Sequence, residues 1–321
     1  MYTPGLEIDP KAYDEAHIDD VLKEIGRNFT RYFDSFSGTS KNTKMDQALS
    51  KLGSHFKVDI RKEQSIDRKS ALEGKFEIAI DEFESDRQRY KEILDLEALE
   101  EDSEDPPAFK DHLRSHCPII HRCLWSKAKE MEKYKAAFNQ ANALDMVNTV
   151  CNIAEFGQRF METFDEDKHE MAEHVSDLRF SDLLEEDYTV YGVIGNGIRS
   201  HFLFKLFPEA FPNRSQNSLW ALYYLVGNNT FGFKEDSEFL MIDVDNNITQ
   251  QNYHYPYDLF GFYALKLFLM IEHVCKKYGV VISSIHRYVY LDAFIEYIAD
   301  YHIDEILELK KKITYDYVFG Y

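Results

Sequence analysis

The chain has 321 residues, 15% of them aromatic, and a formal net charge of -20. Composition this rich in Phe and Tyr buries enough apolar surface to argue against disorder, and the charge argues against a surface that grips nucleic acid or anionic lipid indiscriminately. Cys117, Cys123, Cys151 and Cys275 are too few to staple a chain of this length and fit a reducing compartment.

The opening Met1 to Pro10 has neither a basic nor an apolar leader pattern, so a cytoplasmic address is expected. Asp9 and Pro10 read as N-cap and first helical residue, after which Ile18, Leu22, Ile25, Phe29 and Phe33 recur at helical spacing. Met45, Leu49, Leu52 and Phe56 form a second, shorter stripe. Then the period changes. Phe56, Val58 and Ile60 alternate with charged residues, as do Phe76, Ile78 and Ile80, which predicts two short strands in competition with a helix starting near Ser70. Lys41 to Lys75 holds nine Lys and Arg against five Asp and Glu, whereas Phe76 to Asp105 holds three against thirteen, so a locally basic segment abuts an acidic one. Pro106 and Pro107 end the acidic run. The expected division is therefore an N-terminal helical domain over 1–105, with a short hairpin, and a mainly helical C-terminal domain over 106–321.

Ile119 to Phe156 contains neither proline nor glycine and is expected to be helix. As one rod it would reach about 57 Å, longer than a compact domain is wide, so a break is expected near Asn139 to Asn142. Ile153, Phe156, Phe160 and Phe164 mark an inward stripe, and the acids from Glu155 to Asp187 an outer face. Helices follow over Tyr188 to Phe207, entered through a glycine cluster, and over Ser215 to Val226. Glu238 to Val244 and Ile248 to Tyr255 flank Asp245, Asn246 and Asn247, a hairpin composition.

Asp258 to Gly279 is the hub of this pattern. Asp258 reads as its N-cap, Leu259 to Ile271 is apolar except for Lys266, and Lys276, Lys277 and Gly279 mark its end. A helix apolar on nearly every side is a buried one, and thirteen residues interrupted by a lysine are too few to cross a bilayer. Ser283 or Ser284 opens a further helix through Tyr290, Phe294 and Ile298, and Tyr315, Tyr317, Phe319 and Tyr321 share one face of a period-2 tail. The fold class expected is mainly α with small β hairpins, an α+β chain whose aromatic-rich C-terminal domain surrounds a central helix.

Three constellations could carry chemistry. Asp59 on one expected strand and Glu73-Gly74-Lys75 on the next would bring two acids and a lysine to one face, where Asp59 and Glu73 hold Mg2+ or Mn2+ and Lys75 assists an attacking water, as in metal-dependent nucleases. His112, His116, Cys117, His121 and Cys123 have the identities of a zinc site, but Cys117 points off the face shared by His112 and His116, and Pro118 interrupts the backbone. Asp243 and Asp245 end a hydrophobic strand as D-x-D, with Ile248 and His254 where a calcium loop needs Gly and Glu. On the central helix Lys266 and His273 share a stripe, read as its contact with water rather than a pocket lining.

Two functions compete. The first is an acidic, non-enzymatic interaction or regulatory subunit with a protein partner and no membrane. The alternative is a metal-dependent nuclease or phosphoryl-handling hydrolase at Asp59, Glu73 and Lys75, with nucleic acid held through 41–75.

Overall fold

Asp9 accepts a hydrogen bond from the Lys11 N–H at 3.0 Å and starts a 3-10 turn, Pro10–Tyr13, that feeds helix α1, Glu15–Phe36. The structure is a computed structural model describing residues 8–38, 68–129, 131–233, 238–243, 248–251 and 254–310. The stripe at Met45 to Phe56, the strand expected at Phe56 to Ile60, and the tyrosine tail lie outside them. Among the described residues the chain is mainly helical, with aromatic clusters throughout its core.

Helix α2, Arg68–Ile93, corrects the sequence reading of Phe76 to Ile80 as a strand. Phe76 and Ile80 are one helical turn apart and face inward, while Ile78 is 60% exposed. Leu72, Phe76, Phe83, Tyr90 and Ile93 make one buried stripe along α2, which packs against two later helices, Asn196–Leu206 and Arg287–Tyr301. Tertiary burial chose between two periods that the local sequence satisfies equally.

Further helices follow: α3, Leu96–Asp102; α4, Pro106–His116; α5, Pro118–Trp125; α6, Met131–Gln140; α7, Ala143–Glu162; and α8, Glu166–Glu170. Asp95, Asp105 and Asn142 cap α3, α4 and α7 by accepting from Ala98, Ala108 and Leu144 N–H groups. The Asn142 cap falls in the stretch where the length argument places a break, and a second interruption lies between Trp125 and Met131. Ile153, Phe156 and Phe160 are buried along α7.

Beyond a turn at Gly192, whose φ is 77°, come α9, Asn196–Leu206, and α10, Gln216–Leu225, the latter capped by Ser215. Strands β1, Leu240–Asp243, and β2, Ile248–Gln251, pair antiparallel, Leu240 opposite Gln251. The central helix is α11, Tyr257–Lys277, and α12 is Arg287–Tyr301. Pro256, not Asp258, is the N-cap of α11. Asp258 instead sits inside the first turn, buried, where its Oδ1 accepts from the Leu259 N–H and the Tyr13 hydroxyl.

Helix α11 runs beside α12 and α1 and under the turns Val175–Leu178 and Ser181–Leu184. Leu259, Phe260, Tyr263, Leu265, Leu267 and Ile271 are wholly shielded from water. The Lys266 ammonium is half-buried over the Phe262 ring and donates to the Ala172 carbonyl, whereas His273 is exposed. The expected Lys266 and His273 water stripe is thus real only at its second residue. The buried apolar residues form one cluster that includes residues of α1 and α2. Among the described residues no helix is long and apolar enough to cross a membrane.

Candidate docking groove

An apolar opening lies between α2 and the segment that leaves α11. Gly279, at φ 69°, ends α11, and the Val280 N–H turns back to the Cys275 carbonyl at 3.0 Å, the left-handed stop that glycine permits. The chain then runs out with alternating sides: Val280 is buried, Val281 is 92% exposed, and Ile282 is half-buried. The Ser283 N–H donates to the Tyr290 hydroxyl at 3.1 Å, which holds this segment against α12.

Phe76 and Ile80 of α2, Val280, Ile282 and Tyr290 line a cavity of about 210 Å³, and Glu73, Glu77 and Asp81 form its rim. Phe76 packs edge-on to Tyr290, ring centroids 4.9 Å apart. On the far side Phe76 meets Phe36 at 5.9 Å, so the floor is braced by α1 as well. The Arg68 guanidinium bonds the Tyr278 hydroxyl and lies 4.9 Å from its ring centroid, which joins the start of α2 to the end of α11.

The rim is electrostatically unbalanced. Glu73 has Lys69 at 3.7 Å, but Glu77 and Asp81 are exposed and take no cation among the described residues. Glu84, further along α2, is different: burial works against its charge, yet hydrogen bonds from His286 and Arg87 hold its carboxyl below the usual range.

Sequence-derived site residues fare unevenly. Glu73 is on this rim. Lys75, two residues on, lies about 200° around the helix, half-buried over the Phe36 and Tyr297 rings at 5.0 and 5.5 Å, with burial lowering the pKa of its ammonium. Glu73 and Lys75 therefore do not share the strand face that the nuclease arrangement requires, and Asp59 lies outside the described residues. His112 and His116 do meet, ring centroids 4.6 Å apart, but His121 stacks on Trp125 at 4.2 Å. Cys117 is buried with its thiol pushed up to about 12. Among the described residues no three His, Cys, Asp or Glu side chains converge as a metal set. Asp243 is on β1, and Asp245 lies outside the described residues.

Two polar clusters were not legible as sites. The carboxylate of Glu238 is buried under hydrogen bonds from His17, Tyr255 and Tyr263. Further on, Asp292, Asn213, His201 and Tyr90 form a chain of hydrogen bonds at 3.2, 3.4 and 3.1 Å. Compared with known proteins, the chain matches no protein family, no curated protein and no solved structure.

Proposed function

We propose that this protein is a non-enzymatic, mainly helical interaction or regulatory subunit of a larger protein assembly, and that a partner docks at the groove beside α2. The observation that carries the reading is Val281, at 92% the most exposed of the large apolar side chains among the described residues, on the lining of an apolar opening, with Ile285, four residues on, 60% exposed as well. Contiguous exposed apolar surface rimmed by polar residues marks interaction sites. A cavity of about 210 Å³ is also smaller than the roughly 300–1,000 Å³ typical of small-molecule sites and suits the anchor side chain of a protein partner.

The test is purification of the full chain from its native cells beside a Val281→Asp, Ile285→Asp variant, with partners identified. A stoichiometric partner that accompanies the parent protein and is lost from the variant, at unchanged thermal stability, is the expected result. Recovery of the parent protein only as a free monomer overturns the reading. The nuclease alternative gains no support from the placement of Glu73 and Lys75; Mg2+- or Mn2+-dependent cleavage of DNA or RNA that Glu73→Ala abolishes would restore it.

A further inference from the structure

We infer that the segment received by this groove is a basic amphipathic helix, inserting an apolar side chain over Phe76 and Ile80 and placing Lys or Arg against Glu77 and Asp81. The inference rests on the interaction reading above and names the partner's chemistry.

Charge is the first argument. Glu77 and Asp81 are one turn apart on α2, about 6 Å along its surface, and neither has a cation among the described residues. A partner that covers the apolar floor must pass over these carboxylates, and an acidic or neutral one would strip their hydration without compensation. A cationic residue on the next turn of the incoming helix supplies it. The protein's net charge of -20 steers a basic segment toward the surface and opposes association of a second, equally acidic copy.

Backbone accounting is the second argument. The wall formed by α2 has its main-chain groups bonded within the helix, and on the other wall the N–H groups of Val280 and Ser283 are already committed. Val281 and Ile282 keep main-chain groups open on that second wall, but the acids stand on α2, which offers side chains alone, so recognition along it runs through side chains, as when a helix lays its anchors into a groove. Val281 supplies the apolar lip opposite the acids.

The experiment uses the full chain and a fluorescent designed helix with leucines at i, i+3 and i+7 and lysines on the flanking positions, followed by anisotropy. The lysine peptide is expected to bind. Its affinity is expected to fall at least about tenfold in Glu77→Lys, Asp81→Lys and, separately, in Val281→Asp, with circular dichroism and thermal unfolding unchanged. Absence of binding, equal binding of the same helix with glutamates in place of lysines, or indifference to both variants overturns the inference. Cross-linking of the native complex separates this from the underlying reading. A partner cross-linked at the groove through an acidic or uncharged segment sinks the basic helix and leaves the interaction subunit standing, whereas no partner lost from the Val281→Asp, Ile285→Asp variant sinks the interaction reading itself.

Discussion

His17 Nε2 lies 2.7 Å from Glu238 Oε2, and neither side chain is open to water. The pair joins the first turn of α1 to the residues that lead into β1. The Tyr255 and Tyr263 hydroxyls donate to the other carboxylate oxygen, so one carboxylate satisfies three buried groups. Glu238→Ala orphans all of them and is expected to lower stability by about 3–5 kcal/mol. Tyr263→Phe removes one bond, at 3.2 Å, and is expected to cost only about 1 kcal/mol. Urea denaturation at unchanged m-value measures both; equal losses would show that Glu238 is not the hub.

Asp292 sets a pH dependence. Burial, followed by the nearby charge of Glu296, pushes its carboxyl from an ordinary 3.8 up to about 8. The folded chain therefore keeps a proton that the unfolded chain releases above pH 3.8, so this group's contribution to stability declines as pH rises and is exhausted above about 8. Asp292→Asn should flatten the decline between pH 6.5 and 8, by at most roughly 1.4 kcal/mol per pH unit, while an amide still accepts from Asn213. Thermal melts of both proteins across that range measure the difference, and parallel curves would contradict it.

The acid side belongs to His169 and His201. Each imidazole is pushed from 6.5 down to about 3, first by burial and then by a neighbouring cation, Arg287 for His169 and Lys205 for His201. Both stay neutral when folded, so stability present above pH 6.5 is lost as pH falls toward 3. His169 also bonds the Tyr288 hydroxyl at 2.8 Å. His169→Gln should reduce the steepness of the acid transition by about one proton, read from the slope of unfolding free energy against pH; an unchanged slope would contradict this.

Two glycines in helices should respond oppositely to alanine. At Gly74 a Cβ meets nothing within 4 Å, and Gly74→Ala is expected to stabilise by about 0.5–1 kcal/mol. At Gly261 a Cβ would lie 2.7 Å from two carbons of the Phe180 ring, and Gly261→Ala is expected to destabilise by about 1–3 kcal/mol, partly relieved by Phe180→Leu. Melting temperatures of the single and double variants decide it. A stabilising Gly261→Ala would remove Phe180 as the reason for that glycine.

Arg287 is wholly buried, yet its guanidinium donates to the Glu209 carbonyl and to the Glu166 and Glu170 carboxylates at 2.9, 3.0 and 2.6 Å. It pins α8 and the turn after α9 to the start of α12. Arg287→Ala leaves a cavity and an unbonded Glu209 carbonyl, while Glu166 and Glu170, 46% and 31% exposed, turn to water, and is expected to cost about 2–4 kcal/mol. Arg287→Met is expected to cost less because its volume and the contact with Phe268 are kept; the order of the two denaturation midpoints checks this.

The central helix shows how local the legible signals are. Its apolar run, terminal lysines and Gly279 stop placed it within a residue or two of Tyr257–Lys277, and Asn142 marked the break before α7 because a cap acts within its own turn. Asp258 shows the limit: the same residue type serves as an N-cap or as a buried acceptor, and only Tyr13, on the far side of the chain, settles which. Lys75 makes the same point. It reads as a lysine beside a catalytic acid until Phe36 and Tyr297 are brought beneath it.

By itself the sequence determined that the chain is mainly helical, where α10 and α11 begin and end, and that α11 is buried, because periodicity, capping and breakers act over a few residues. Only the tertiary structure decided that Phe76 to Ile80 is helix, that Glu73 and Lys75 part company, and that Val281 stands opposite Glu77 and Asp81 across a groove. Those outcomes depend on contacts between segments some two hundred residues apart, such as Phe76 with Tyr290, and nothing in either segment alone encodes which partner will bury it.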